Sequence, residues 1–286
     1  MIAEFAPAKV NLNLHVGPLR ADGRHDLSSL IVFAGVGDMV RVEAADDLYF
    51  SVEGPFSAPL QGEDAEGNLV VRAARKLACL CGVKPKARIT LEKRLPVASG
   101  VGGGSADAGA ALRALVRLWG VAPNARALAR LAFSLGADVP VCVASRPSVA
   151  SGAGEILARA RAPLAHMALV NPGVATPTGP IFRAYDRAFP TPPEPKTPPA
   201  PRSSVAAWRA FMDATRNDLQ APAIERVPVI ADVLLALEQS PGAFAARMSG
   251  SGATCFALFP DARSAARAAR RLAARGWWSA SGPVLR

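Results

Sequence analysis

The 286-residue chain has little of several residue types, and each shortage excludes a class of protein. Its four cysteines and three histidines form no C-x-x-C pair and no cluster, so neither a zinc site nor a disulfide framework is expected. No apolar run reaches the roughly 18 residues needed to cross a membrane. The N-terminal segment also lacks the basic and apolar regions of a signal peptide. We therefore expect a cytoplasmic protein that makes no membrane contact.

Aromatic residues are scarce as well, at 6%, although half of the residues are hydrophobic. The core must then consist mainly of alanine, valine and leucine, which suits an α/β or α+β protein and argues against disorder. The length allows two modest domains. Because the composition changes between Ala144 and His166, we predict domains at residues 1–150 and 151–286.

The net charge of +10 has two interpretations that the sequence leaves open. A basic protein attracts polyanions such as nucleotides and diphosphates, but arginines also keep an alanine-rich surface soluble. The densest basic stretch lies near the C-terminus within a helical pattern, so we expect a solvated helix face carrying Arg263, Arg267, Arg270, Arg271 and Arg275.

Periodicity and capping residues predict the elements that surround the candidate motifs. Ala8–Val16 alternates as a strand with one buried face, with Lys9, Asn11 and Asn13 on the other. Helices are predicted over Leu69–Cys81, 106–119 and 125–135, and strands over 39–43, 48–52, 87–91, 139–144 and 254–259. The proline-dense segment 189–204 is predicted to be a surface loop, a lid edge or a disordered insertion.

A glycine-rich loop, PVASGVGGGS at residues 96–105, precedes one of these helices. Glycines let main-chain N–H groups approach an anion closely, and the N-terminus of the following helix adds unpaired donors and partial positive charge. A plain turn needs only one or two glycines, so the loop favours phosphate binding. It lacks the Lys-Ser/Thr that ends a Walker A motif. The Ser105 hydroxyl has three possible roles: capping the helix, contacting a phosphate or approaching a metal ion.

Asp138 lies between a predicted helix end and an apolar segment, where its carboxylate is expected to be partly buried. It is predicted either as a loop cap or as the base that accepts a hydroxyl proton in phosphoryl transfer. Lys9 is the candidate cationic partner that would keep it ionised. Asp107, early in the helix after the glycine loop, is predicted to complement the helix dipole. His25, in a turn-rich segment, is predicted either to contact a ligand or to brace its loop.

A second glycine turn, MSGSGATC at residues 248–255, could form another anion-binding nest. With it, three segments resemble the motifs of one family: PAKVNLNLHV at Pro7–Val16, PVASGVGGGSADA at Pro96–Ala108 and MSGSGATCF at Met248–Phe256. The family is the GHMP kinases. Further matches, RADGRHDL, LGADVPVCV, SGAGEIL, NPGVATPTGPIF and RNDLQ, recur in order over nearly the whole chain. The resemblance implies an α+β GHMP kinase fold, with a ribosomal-S5-domain-2-like N-terminal domain and a ferredoxin-like C-terminal domain.

The resemblance also implies an activity, transfer of phosphate from ATP with Mg²⁺ to an alcohol. Within the family, the chain is most similar to the members that phosphorylate the 2-hydroxyl of a cytidine-diphosphate-linked methylerythritol. Its partners would be this small molecule and ATP, with no nucleic acid, and we expect a monomer or weak homodimer. Two alternatives remain: another kinase of the family, such as a homoserine kinase, and a non-catalytic nucleotide- or RNA-binding module.

Site residues follow from the resemblance position by position. Asp138 would be the catalytic base and Lys9 its partner. Arg24 stands where the family usually has an aromatic residue before the histidine. No metal ligand is assigned to the protein. The substrate would be held by Asn11, by His25 on the cytosine with Phe182 packed against it, and by Gly250, Ser251 and Gly252 closing over the phosphates. The ATP phosphates would be held by Pro96, Val97, Ala98, Ser99, Gly100, Val101, Gly102, Gly103, Gly104, Ser105 and Ala106.

Overall fold

The structure, a computed structural model, describes residues 1–62, 64–202 and 204–286. Within these ranges the strands β1 to β11 are Ile2–Asn11, His15–Leu19, His25–Glu43, Leu48–Glu53, Ala87–Glu92, Ser148–Gly152, Ile156–Arg159, His166–Asn171, Ala245–Met248, Cys255–Phe259 and Trp278–Leu285. The helices α1 to α9 are Leu69–Cys81, Gly103–Trp119, Ala125–Leu135, Val139–Ala144, Thr178–Ala188, Val205–Asp213, Gln220–Arg226, Val229–Glu238 and Ala262–Ala273.

The chain divides into two compact units, neither of which is continuous in sequence. The first unit is Met1–Ala8, Gly37–Val97 and Gly102–Ser145, and the second is Lys9–Val36, Ala98–Val101 and Arg146–Arg286. Residues of β1, β3 and the glycine loop are therefore divided between them. A domain boundary near residue 150 stays a prediction.

The first unit combines a small sheet with four helices. β5 pairs in parallel with β4 and antiparallel with Met39–Glu43, the last part of β3. Helices α1 to α4 pack against one another, and the core is aliphatic, with buried Leu77, Leu112 and Leu115. The predicted bounds of α1 and α3 are confirmed. Asparagines cap both helices: the Asn68 side chain accepts from the Val70 N–H, and the Asn124 side chain accepts from the Arg126 N–H.

The second unit is built on a mainly antiparallel sheet. Strands follow one another in the order β3, β11, β8, β10, β9, each pair antiparallel. β2 and β6 also pair with β3, and β7 pairs with β6. Buried side chains of α5, α7, α8 and α9 pack with those of β8 and β10 into one apolar core. The predicted arginine-rich helix and the strand predicted over 254–259 are confirmed as α9 and β10.

Four local predictions are corrected by the structure. Val139–Ala144 is helix α4 and not a buried strand, because six apolar residues carry no period and Pro140 fits the first turn of a helix. The first strand ends at Asn11, and both of its faces are buried there. Residues 39–43 belong to the long strand β3. Helix α2 begins at Gly103, three residues earlier than predicted, with Gly102 at its N-cap.

The proline-dense segment 189–204 forms no regular element in its described residues, as predicted. Side-chain hydrogen bonds hold it against other parts of the second unit. The Thr197 hydroxyl accepts from Asn13 Nδ2 at 2.9 Å and from the Ser28 hydroxyl at 2.7 Å. His15 Nδ1 lies 2.6 Å from the Lys196 carbonyl oxygen. These contacts favour a packed surface loop over a disordered insertion. None of the helices in the described part of the chain is long and apolar enough to cross a membrane.

Candidate active site

The middle of the glycine loop, Ala98–Val101, lies directly against the second glycine turn in the second unit. The Ser249 hydroxyl donates to the Gly100 carbonyl at 3.1 Å, and the Thr254 N–H donates to the Ser99 carbonyl at 3.1 Å. A Cβ at Gly100 would lie 2.5 Å from the Gly252 carbonyl oxygen, and the φ angle of Gly100 is +79°. Only glycine allows this approach. The two glycine-rich segments, whose contacting residues are at least 149 positions apart in the sequence, therefore form one surface.

Lys9 and Asn11 of β1 adjoin this surface. The Lys9 N–H donates to the Val101 carbonyl at 2.9 Å, and Lys9 Nζ donates to Asn11 Oδ1 at 2.9 Å. The Asn11 N–H donates to the Ser249 hydroxyl at 3.2 Å. Both side chains are buried. A buried ammonium beside a concave, glycine-lined main chain is suited to an anion.

Two side chains with no predicted role hold the second glycine turn in place. Asn217 Nδ2 donates to the carbonyls of Met248 and Gly250, each at 2.8 Å. The Arg247 guanidinium donates to the carbonyls of Leu12 at 2.7 Å and Thr215 at 2.8 Å. Burial lowers the pKa of Arg247 to about 10, so it stays charged near neutral pH. Asn217 lies in the RNDLQ match and Arg247 directly precedes the turn. These positions in the sequence were the only signals that could have indicated a role for either residue.

His25 lies in an aromatic cluster of the second unit. Its ring stacks on Phe182 with centroids 5.2 Å apart, and its Nδ1 lies 2.9 Å from the Gly17 carbonyl oxygen. Its Nε2 lies 3.1 Å from a carboxylate oxygen of Asp186, a residue that sequence reasoning missed. Phe182 and Asp186 both belong to α5, whose first residue, Thr178, contacts the Ser251 hydroxyl at 3.1 Å. Helix α5 thus links the His25 cluster to the second glycine turn.

The remainder of the glycine loop lies in the first unit, where Gly102, with φ +62°, caps α2. Ser105 is the third residue of the helix, so it is not the cap that was one of its predicted roles. Gly103 packs on Lys93, whose Nζ would lie 2.9 Å from a Cβ at this position. Pro96 and Val97 precede the helix in the same unit. The first turn of α2 begins with Gly103 and Gly104, which carry no side chains.

Beneath this turn lies a buried charged cluster that sequence reasoning missed. Lys93 Nζ donates to Asp107 Oδ2 at 2.9 Å and also contacts Asp38 Oδ2. Asp38 Oδ1 accepts from the N–H groups of Arg94 at 2.6 Å and Leu95 at 2.8 Å. The predicted role of Asp107 at the helix dipole is therefore wrong, since its carboxyl is buried and paired. The only signal for this cluster in the sequence was the position of Asp107 early in the helix that follows the glycines.

Burial and the neighbouring charges shift the pKa values of Asp107 and Lys93 in this cluster. Burial raises the pKa of Asp107 to about 8, with Asp38 adding to the rise and Lys93 opposing it. Burial disfavours the Lys93 ammonium, but the two carboxylates outweigh it and raise the pKa of Lys93. Burial thus shifts Asp107 toward its neutral form, while the neighbouring carboxyl groups keep Lys93 in its charged form.

Asp138, also in the first unit, lies at the N-cap of α4 and is partly buried. Its side chain makes no cap hydrogen bond, so the predicted loop-cap role does not account for it. Helix α4 is packed tightly on α2, because a Cβ at Gly109 would lie 2.7 Å from the Cys142 carbonyl carbon. The Arg113 guanidinium also donates to the Cys142 carbonyl at 2.7 Å. The helix that carries Asp138 is thereby fixed against the helix that follows the glycine loop.

Two family models match the chain. The model for the GHMP kinases N terminal domain matches residues 68–146, and the model for the GHMP kinases C terminal domain matches residues 202–276. Together they cover more than half of the sequence, and the matched ranges contain the glycine loop, Asp138 and the second glycine turn. The chain belongs to the GHMP kinase family.

Individual proteins of the family are similar to the chain over nearly its whole length. The 4-diphosphocytidyl-2-C-methyl-D-erythritol kinase of Parvibaculum lavamentivorans is 49% identical over 284 residues, covering 97% of this chain and 96% of that protein. The kinase of the same name from Cereibacter sphaeroides is 50% identical, covering 97% of each chain. A crystal structure of 4-(cytidine 5'-diphospho)-2C-methyl-D-erythritol kinase superposes with a TM-score of 0.79 at 32% identity, covering 99% of both chains. A homoserine kinase from Cytophaga hutchinsonii, at 18% identity and a TM-score of 0.71, shares the fold.

Proposed function

We propose that the chain is an ATP-dependent phosphotransferase that phosphorylates the 2-hydroxyl of 4-diphosphocytidyl-2-C-methyl-D-erythritol, a step of non-mevalonate isoprenoid precursor biosynthesis. The observation that carries the proposal is the joined surface of the two glycine segments beside Lys9 and Asn11. Full-length relatives near 49% identity bear the name of this kinase, which supports the choice of substrate.

In phosphoryl transfer, the protein mainly positions the reacting groups and stabilises the charge that develops on them. We assign the ATP phosphates to the main-chain N–H groups of residues 96–106 and to the N-terminus of α2. The turn at Gly250–Gly252 would close over the phosphates. The 2-hydroxyl oxygen forms a bond to the γ-phosphorus, the bond from that phosphorus to the β–γ bridging oxygen breaks, and ADP leaves with the electron pair.

Asp138 is the proposed base, which accepts the hydroxyl proton as the new bond forms. Lys9 is the proposed partner, whose ammonium would favour the ionised carboxylate and offset the charge that develops on the acceptor oxygen. The hydrogen bond from Lys9 Nζ to Asn11 Oδ1 fixes the direction of the lysine side chain, and Asn11 would lie beside the substrate.

The cytosine is assigned to the aromatic cluster of His25 and Phe182. A planar base stacks on aromatic rings. Both ring nitrogens of His25 already face oxygen atoms, those of Gly17 and Asp186, and this orients the ring. Arg24 has a planar guanidinium that can stack in place of the usual aromatic residue.

Magnesium is proposed to arrive with ATP rather than as a resident ion. The described residues contain no group of three or more histidine, cysteine or carboxylate side chains that could hold a metal. Mg²⁺ on a nucleotide keeps several waters and needs only one or two protein ligands, and Ser105 in the first turn of α2 supplies a hydroxyl. The ion would neutralise charge on the phosphates. We further propose a cytoplasmic monomer or weak homodimer that binds no nucleic acid.

Product analysis tests the proposal directly. The protein is incubated with ATP, Mg²⁺ and, in separate reactions, the cytidylyl substrate, homoserine or mevalonate. Of the three alcohols, only the cytidylyl substrate should give ADP and a new phosphomonoester. Phosphorus NMR should place the new phosphate on the 2-hydroxyl. Phosphorylated homoserine or mevalonate would contradict the substrate assignment. RNA binding that weakens with salt, without ADP formation from any alcohol, would contradict catalysis altogether.

A further inference from the structure

An arginine-rimmed pocket in the second unit has no part in the proposed reaction. Its volume is about 520 Å³, and none of its lining residues belongs to the candidate active site. The lining comes from the segments around β6 and β7 and from α6, with Phe244 just before β9 and Arg286 just after β11. A volume of this size lies within the usual range of about 300–1,000 Å³ for small-molecule sites.

The rim of the pocket carries positive charge. Five arginines line it, and all five are exposed: Arg146, Arg159, Arg161, Arg202 and Arg286. No aspartate or glutamate side chain lines the pocket, and within the described residues none of the five guanidinium groups forms an ion pair with such a side chain. This contrasts with arginines elsewhere in the chain, such as Arg41 and Arg75, which pair with glutamates. Like charges gathered around one cavity repel one another, and a bound anion relieves that repulsion.

The floor of the pocket is apolar. Trp208 and Phe244 line it and are both buried, and Pro147 and Pro163 are buried beside them. The first residue of α6, Val205, also lines the pocket, so the N-terminal end of this nine-residue helix adds partial positive charge. Guanidinium groups bind phosphate oxygens in a planar, two-point geometry, and the aromatic floor accommodates a planar or hydrocarbon group.

We propose that this pocket binds a small amphipathic anion, a phosphate ester that has a doubly charged head and an apolar or planar body. The arginines of the rim hold the head, and Trp208 and Phe244 contact the body. The proposal does not depend on the proposed kinase reaction, because the two sites share no residue.

Calorimetric titration of the full chain with 1-naphthyl phosphate tests the proposal, with inorganic phosphate and 1-naphthol as reference ligands. The test variant is Arg159→Ser with Arg161→Ser. The matched control is Arg263→Ser with Arg267→Ser, which removes the same charge from exposed positions on α9. A third variant, Arg202→Ser, removes one charge from a different segment of the rim.

We expect 1-naphthyl phosphate to bind more tightly than either reference ligand. Because losing one hydrogen bond to a charged group weakens binding by about tenfold or more, the pocket variant should lose at least about tenfold in affinity. Arg202→Ser should also weaken binding, and the α9 control should stay within about twofold. Equal losses in the pocket variant and the control would assign binding to overall charge and overturn the proposal. Absence of binding, or unchanged binding in the pocket variant, would overturn it as well.

Discussion

At the scale of single residues, the carboxylates of the first unit have different chemistry although they look alike in the sequence. Asp138 is partly buried and makes no cap hydrogen bond, whereas Asp38 and Asp107 share one buried ammonium. Sequence patterns drew attention to Asp138 and Asp107 and missed Asp38, since its partners, Lys93 and the N–H groups of Arg94 and Leu95, are more than 50 positions away.

Asp138→Asn tests the proposed base. An amide cannot accept the hydroxyl proton, so turnover should fall by roughly 10²–10⁴-fold, the usual contribution of general base catalysis. ATP affinity should change little, because the phosphates are assigned to main-chain groups of the glycine loop. The checks are steady-state turnover with the cytidylyl substrate and ATP affinity by calorimetry. Near-normal turnover in the variant would remove Asp138 from the mechanism.

Asp107 predicts a pH dependence of stability. Its pKa is raised from the ordinary 3.8 to about 8, so the folded state binds a proton that the unfolded state does not. This contribution to stability is complete below the unfolded pKa and is lost as pH rises through about 8. Asp107→Asn mimics the protonated carboxyl, so its free energy of unfolding should fall less than that of the wild type between about pH 6 and pH 9.

Urea unfolding at several pH values measures this difference. Asp38→Asn provides the contrast, because Asp38 accepts two main-chain N–H groups and faces Lys93. Its loss should destabilise the protein at every pH tested, since a buried ammonium would be left without its main partner. A pH profile of Asp107→Asn parallel to that of the wild type would show that Asp107 is ionised throughout.

At the scale of elements, the glycine loop and the second glycine turn depend on each other. Gly100→Ala should destabilise the second unit by about 1–3 kcal/mol, because its φ is positive and its Cβ would meet the Gly252 carbonyl. ATP affinity should fall with it, as the loop must shift. Gly104→Ala is the matched control for stability, since its Cβ would meet only Leu69 at an ordinary 3.6 Å. Equal stability of the two variants in urea would contradict the close approach.

The proline-dense segment makes a further prediction at this scale. Thr197→Val removes the acceptor of two hydrogen bonds and leaves buried Asn13 Nδ2 without its 2.9 Å partner, at a cost of about 1–3 kcal/mol. The segment should then open more often, and trypsin should cleave after Lys196 faster than in the wild type. Thr197→Ser keeps the hydroxyl and should resist trypsin like the wild type. Identical cleavage of all three proteins would show that these bonds do not hold the segment.

At the scale of the whole molecule, the net charge of +10 favours encounters with polyanions. Both proposed substrates carry phosphates. The KM for ATP should therefore rise as NaCl increases from about 0.05 to about 0.5 M, while kcat changes much less, because screening acts on exposed charges at long range. Sucrose at equal osmolarity is the control and should leave the KM unchanged. If kcat falls as NaCl increases while the KM stays constant, salt acts on the chemical step instead.

Much of the fold follows from local sequence signals. The bounds and asparagine caps of α1 and α3 could be predicted because a cap and its helix are neighbours in the chain. The motifs also identified the family, since glycine-rich turns need particular residues at particular spacings. Short apolar runs were ambiguous: α4 was predicted as a strand because six consecutive apolar residues show no period.

The sequence by itself thus determined the composition of the core, most helices, the glycine loop and the family. Only the tertiary structure decided which distant groups meet: Gly100 with Ser249 and Gly252, Lys93 with Asp38 and Asp107, and Thr197 with Asn13. The physical reason is that capping and turn geometry act over a few residues, whereas packing and ion pairing join side chains without regard to their separation along the chain.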